Sequence, residues 1–292
     1  MGTSHVYNGV KSDEKNEEEM HVNVRRIIFF GGQSEGIPFE AFGDLHLLCI
    51  QQVAASSLNT PRAVWVQTNV TVQAPPPRCG HAATLLSSDL ILITGGSMGV
   101  SPILKMDVFL LHIEGCTDFR WSTPSCSSLI PTGRSLHDVH RVSECEVFIY
   151  RGRQIRQSNC LLDVHKLQIT TDIHGGGDTL YSIKWTKPRL LGSLPCPRRG
   201  HSTNTIGPKL LLFGGQNTST GQLENDVCVL NIPDLRWRRL DVPGKAPCSR
   251  RGFKNQFFGT TVVISSGFVR SNRAGKVDYQ LSDSDVHVLS LL

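Results

Sequence analysis

The 292-residue chain lacks the signatures that announce most chemistries. No apolar stretch approaches the roughly 20 residues of a membrane-spanning helix, and the start is polar rather than signal-like. The nine cysteines are scattered without a Cys-x-x-Cys pair, which excludes the familiar zinc-ribbon and redox spacings. An odd, dispersed set points to reduced thiols, so the expected compartment is cytoplasm or nucleus, and the sequons at Asn69 and Asn217 are expected to stay unused. There is no Gly-x-Ser-x-Gly elbow, no Walker-type loop and no His-Glu-x-x-His. Nor does any segment sustain a helical period, which removes the α classes from consideration.

One rival motif fails on inspection. Thr94-Gly-Gly-Ser-Met-Gly-Val-Ser101 follows an apolar run and is similar to the phosphate loop of short-chain dehydrogenases. That loop needs a final glycine and a helix whose N-terminus meets the pyrophosphate. Here the last position is Ser101, Pro102 and Ile103 open no amphipathic helix, and Tyr181-Ser-Ile-Lys184 is one residue short of Tyr-x-x-x-Lys.

What the chain does have is repetition. Four times it spells Arg-x-x-His or Phe: Arg78-Cys-Gly-His81, Arg134-Ser-Leu-His137, Arg198-Arg-Gly-His201 and Arg250-Arg-Gly-Phe253. The turn glycines Gly96, Gly152, Gly215 and Gly267 follow each Arg by 18, 18, 17 and 17 residues. Asp107, Asp163 and Asp226 come 11 residues later, and Asp285 comes 18 later. A further copy at the start has Gly32 and Asp44, 12 apart, without the Arg. A repeat of this length fixes the architecture, because each unit must bury its face on a neighbour.

Each unit reads as a four-stranded antiparallel blade. Ala82 to Leu86, Thr203 to Ile206 and Asn255 to Phe258 suit a first strand. Apolar runs ending in glycine suit a second, as in Arg26 to Gly32, Ile91 to Gly96 and Leu210 to Gly215. Asp followed by alternating apolar residues gives the third, from Asp44, Asp107, Asp163, Asp226 and Asp285. Trp65, Trp121, Trp185 and Trp237 mark the fourth and are expected to be buried between blades. Unit one lacks a first strand, which His5 to Val10 or Val22 to Val24 could supply, and unit five lacks a fourth.

These motifs resemble the kelch repeat, with its Pro-Arg-x-Gly-His start, Gly-Gly turn, Asp-Val strand and spaced Trp. The resemblance covers residues 25 to 292 and departs from the pattern at Tyr150-Arg-Gly152 and Ser266-Gly267. It implies an all-β fold, a kelch-type β-propeller with five recognisable repeats, closed as five or six blades or left as an incomplete ring. A chain so divided could also be a fragment or splice form of a six-bladed protein. Residues 1–24, with the acidic run Lys11 to Glu19, are expected to be a disordered leader.

The resemblance implies a non-catalytic module that holds a partner protein or peptide through propeller loops. Some kelch-type propellers are enzymes, so an enzyme or metal-dependent specifier on the same scaffold stays open as the alternative. Residues 147–292 carry 20 of the 30 Lys and Arg but 10 of the 25 Asp and Glu, which favours an acidic partner. The basic clusters are short and not interleaved with aromatics, which disfavours nucleic acid. Expected partner contacts are Arg78, Arg134, Arg198 and Arg250, for which a brace of the turn is the open alternative, with Arg270, Arg273 and Tyr279 from the long loop Phe268 to Ser284. The other loops between second and third strands are Gln33 to Gly43, Ser97 to Met106, Arg153 to Leu162 and Gln216 to Asn225. His81, His137 and His201 hold equivalent places in separate repeats, so no metal or other cofactor is expected.

Overall fold

The computed structural model describes residues 3–8, 22–34, 40–53, 62–98, 106–150, 152, 163–173, 179–258, 261–265, 267–273, 276–281 and 286–290. Every regular element among them is a strand. The chain forms two compact units, Met1–Ser158 with His165–Thr186, and Asn159–Val164 with Lys187–Leu292.

In the first unit, blade one runs Thr3–Asn8, Val22–Gln33, Ala41–Val53, Arg62–Val66 in hydrogen-bonded order. The strand missing from the repeat pattern is therefore taken from the start of the chain, with His5 opposite Ile28 and Val6 opposite Ile27. Val22 to Val24 do not form an edge strand but lengthen the second strand instead. Within the expected leader, residues 3–8 and 22–24 thus stand in strands, and 9–21 lie outside the described residues. Blade two is Ala82–Ser87, Leu90–Thr94, Val108–Ile113, Asp118–Ser122, and blade three is Asp138–Ser143, Glu146–Tyr150, Val164–Ile173, Thr179–Thr186.

In the second unit, blade four is Ser202–Ile206, Lys209–Asn217, Leu223–Asn231, Arg236–Leu240. Among the described residues blade five has three strands, Lys254–Phe258, Thr261–Ser265 and Val286–Ser290. The segment expected as its long loop is instead a hairpin, Phe268–Arg273 against Lys276–Leu281, with Arg270 opposite Tyr279. Arg250–Arg251 pairs with its first strand.

The second strands are apolar on both faces because each blade is sandwiched. Leu90 to Thr94 and Leu210 to Phe213 are buried throughout. Adjacent blades share their cores. Ile28, Phe30 and Leu47 of blade one meet Ile91, Leu111 and Trp121 of blade two, while Leu92 and Leu110 of blade two meet Ile149, Leu167 and Trp185 of blade three. Trp121 and Trp185 pack back on the preceding blade, with the Trp121 ring 4.9 Å from that of Phe30.

Trp65 breaks the expectation that every such Trp is buried. It is 62% exposed, against 2–5% for Trp121, Trp185 and Trp237. Its ring stands beside Phe29 and His46 of its own blade, with centroids 5.4 and 6.1 Å away. This contrast is testable. Trp121→Ala should cost about 3–5 kcal/mol, visible as a lower melting temperature and lower soluble yield, whereas Trp65→Ala should stay within about 0.5 kcal/mol of the parent. Thermal melts on both variants check this, and equal losses would contradict it.

Candidate functional site: the arginine turn and the face it carries

The Arg that opens each full repeat points inward. Arg78, Arg134, Arg198 and Arg250 are between 0 and 3% exposed. Nε of each donates to the carbonyl two residues back: Pro76 at 3.2 Å, Thr132 at 3.4 Å, Cys196 at 3.3 Å and Cys248 at 3.1 Å. Arg78 Nη1 donates to the Gly95 carbonyl at 2.7 Å, and the fork closes on Asp107 at 3.2 and 3.1 Å. Arg198 repeats this with Gly214 at 3.1 Å and both carboxylate oxygens of Asp226. One guanidinium thus ties three segments of a blade: its entry, its glycine turn and the start of its third strand. Burial alone would raise the Asp226 carboxyl, but the hydrogen-bonded Arg198 fork outweighs it and holds the group below the usual carboxylate range. Burial alone would lower Arg198, and Asp226 reverses that too.

The neighbouring repeat locks onto the same turn. Gly32 N donates to the Arg78 carbonyl and Gly96 N to the Arg134 carbonyl, both at 2.9 Å. A Cβ on Gly95 would lie 2.6 Å from the Arg134 carbonyl oxygen and 2.9 Å from the His137 ring, and φ there is +53°. Only glycine fits, which accounts for the first glycine of the pair. Gly215 serves the other contact, since its Cβ would lie 2.5 Å from Cβ of His201 in its own blade.

The His or Phe closing the motif fills the remaining space against the preceding blade. His81 meets Phe30 and Phe253 meets Phe213, each with centroids 5.4 Å apart, while His137 Nε2 shares a 2.8 Å hydrogen bond with Thr94 Oγ1. These residues are packing elements. Among the described residues no three of His, Cys, Asp or Glu are placed to hold one ion. Burial first, and then Arg134 and His81, push His137 down to about pKa 3.

Alternation along the strand turns the residue after each buried Arg the other way. Arg199 is exposed, and its Nε and Nη2 donate to Gln216 Oε1 at 3.1 and 2.9 Å. Arg251 lies 5.8 Å from the ring centroid of Phe268, itself 38% exposed. Successive turns are linked, Leu136 N to the Gly80 carbonyl at 2.7 Å and Gly252 N to that of Gly200 at 2.6 Å. Leu136, in place of the usual glycine, takes φ +54° and is 69% exposed.

The four arginines expected to touch a partner are therefore inside their blades, whereas the next residue is exposed at Arg199 and half-buried at Arg251. Arg270, Arg273 and Tyr279 lie on the hairpin, with Arg273 opposite Lys276. Of the other loops, Gln216 to Asn225 is a compact turn in which Asn217 Oδ1 accepts from the Ser219 and Thr220 amides. Residues 35–39, 99–105 and 153–162 lie outside the described residues.

The KLHDC2/KLHL20/DRC7 Kelch-repeats domain model matches residues 105–292. The chain belongs to this kelch-repeat family. It is 25% identical over 320 residues to Kelch domain-containing protein 3 of Homo sapiens, covering 90% of this chain and 81% of that protein. Identity to Acyl-CoA-binding domain-containing protein 4 of Arabidopsis thaliana is 24% over 286 residues, 83% of this chain but 41% of the relative. A solved structure described as "Structure of YjhT" superposes with a TM-score of 0.52 at 12% identity, covering 88% of this chain and 81% of the other. The kelch chain thus has the β-propeller fold, and its departures from the repeat, Leu136 and the three-stranded fifth blade, are local.

The buried histidine gives a pH prediction. Folded His137 stays neutral down to about pH 3, while the unfolded residue takes a proton near 6.5. Stability should therefore fall as pH drops from about 6.5 towards 3, by up to about 1.4 kcal/mol per unit from this residue. His112 and His140, also lowered by burial, act in the same direction. In His137→Gln the decline in melting temperature between pH 7.5 and 5 should be shallower than in the parent. Parallel curves would contradict the assignment.

Proposed function

We propose that this chain is a non-catalytic kelch interaction module that holds a partner protein or peptide with an acidic motif on the face carrying the arginine turns. The observation that carries the reading is the alternation at Arg198–Arg199 and Arg250–Arg251. One arginine of each pair is buried in the blade; Arg199 is then exposed and held by Gln216, while Arg251 is half-buried over the Phe268 ring. Gln216 holds Arg199 in place, so less side-chain entropy is lost when a carboxylate arrives. Phe268, exposed beside Arg251, supplies apolar contact area. Arg270, Arg273 and Tyr279, on the strands of the Phe268–Leu281 hairpin, are proposed as further contacts to the same partner. The excess of basic residues beyond position 146 would steer an acidic partner towards it.

Among the described residues no helix is long and apolar enough to cross a membrane. The eight described cysteines are free thiols, in keeping with a cytoplasmic or nuclear setting. Within the family, the arrangement fits the kelch domain-containing protein 9 type.

The test is a pull-down followed by affinity measurement on the captured partner. Arg199→Ala with Arg251→Ala should weaken binding about tenfold or more and flatten its salt dependence, with the melting temperature nearly unchanged. Deleting Asn272 to Tyr279 should abolish capture. Unchanged affinity in both variants would place recognition on another face, and stoichiometric iron or copper in the purified protein would overturn the non-catalytic reading.

A further inference from the structure

Arg26 and Cys49 stand directly opposite one another across the second and third strands of blade one. Opposed residues share a sheet face. Two residues further along that face Ile28 stands opposite Leu47, and both belong to the core shared with blade two. Cys49 packs against the same core. From blade two, Ile113 and Phe119 join that core as well, and they bracket the turn that carries Cys116. The Glu114 amide donates to the Asp118 carbonyl at 2.9 Å and closes this turn. Arg26 crosses from one blade to the other, its Nη2 donating to Cys116 Sγ at 3.1 Å.

One arginine thus joins two thiols from different blades, and the two thiols are unlike. Cys116 is exposed, whereas Cys49 is half-buried. Burial holds the Cys49 thiol above its ordinary value; Arg26 pulls it down, and the nearby Cys116 adds to the rise. Redox-sensing cysteines are accessible thiols beside a positive charge, with a second cysteine near enough to resolve them. Cys116, Arg26 and Cys49 supply those three parts. Cys145 is exposed too, but its sulfur has the Ser143 hydroxyl 3.4 Å away in place of a guanidinium.

We propose that Cys116 and Cys49 are a peroxide-responsive pair, Cys116 the reacting thiol and Cys49 the resolving one. The Cys116 thiolate attacks one oxygen of hydrogen peroxide; the O–O bond breaks, hydroxide leaves, and the sulfur becomes a sulfenic acid. Cys49, as its thiolate, then attacks that sulfur. The S–O bond breaks, a second hydroxide leaves, and the disulfide forms. The two hydroxides and the two thiol protons give two waters, so one peroxide is reduced and both cysteines are oxidised. The new bond ties the third strand of blade one to the turn between the third and fourth strands of blade two. A thiol reductant restores both groups. The pair needs nothing from the arginine-turn face.

The test treats the full 292-residue protein with hydrogen peroxide and follows it by non-reducing peptide mapping in a mass spectrometer and by thermal melts. A Cys49–Cys116 cross-link is expected, with the melting temperature raised by about 3–6 °C and returned to its starting value by dithiothreitol. In Cys49→Ser the oxidation should stop at a sulfenic acid on Cys116, which dimedone captures. Arg26→Gln should slow the loss of the Cys116 thiol about tenfold when Cys145 in the same sample serves as the reference. A parent protein in which Cys116 oxidises no faster than Cys145, or oxidises without joining Cys49, would overturn the proposal.

Discussion

The buried arginine fork is the constraint on which the rest of this structure depends. A guanidinium has five donors and no acceptor, so burying it obliges the chain to bring acceptors to it. Two carbonyls and the Asp that opens the third strand meet that demand in blades two and four. Blade entry, glycine turn and third strand are thereby set against one another before any apolar contact is counted. The carbonyl of the same Arg then accepts from the preceding blade's turn in two junctions, so the brace within a blade is also the joint between blades.

From that joint the other features follow. The turn approaches so closely that a side chain at Gly95 has no room, and the ring three residues past the Arg is pressed on the neighbour. That ring can be His against Phe, His against Thr, or Phe against Phe, because the site asks for shape and lets the partner settle polarity. In blade four the residue that follows the buried Arg, Arg199, faces outward.

Most of the architecture was legible because a repeat states each rule several times over. The strand boundaries near Ala82, Leu210 and Asp226, the glycine turns and the fourth-strand tryptophans all fall where the spacing puts them. What could not be read is what depends on the neighbours a side chain meets. Trp65 carries the same motif as Trp121 yet is exposed, its ring lying against Phe29 and His46 of its own blade while Trp121 packs on Phe30 of another. The strand at Thr3–Asn8 has no signature of its own and is identified by its pairing with Arg25 to Phe30. The Arg of the repeat signature could be read either as a brace of the turn or as a docking cation, and its burial in every full repeat supports the brace. The hairpin at Phe268–Leu281 passed for a loop because Ser, Asn, Arg and Gly interrupt its apolar pattern.

The most direct test of the brace is a double-mutant cycle on Arg198→Ala and Asp226→Ala, read by chemical denaturation. Each single change strands a buried charge and should cost about 3–5 kcal/mol. The double change removes both charges together, so it should cost less than the sum of the two, with a coupling of about 1.5–3 kcal/mol. Losses that add to within about 0.5 kcal/mol would show that the fork does not hold the blade, and the account built on it would fall.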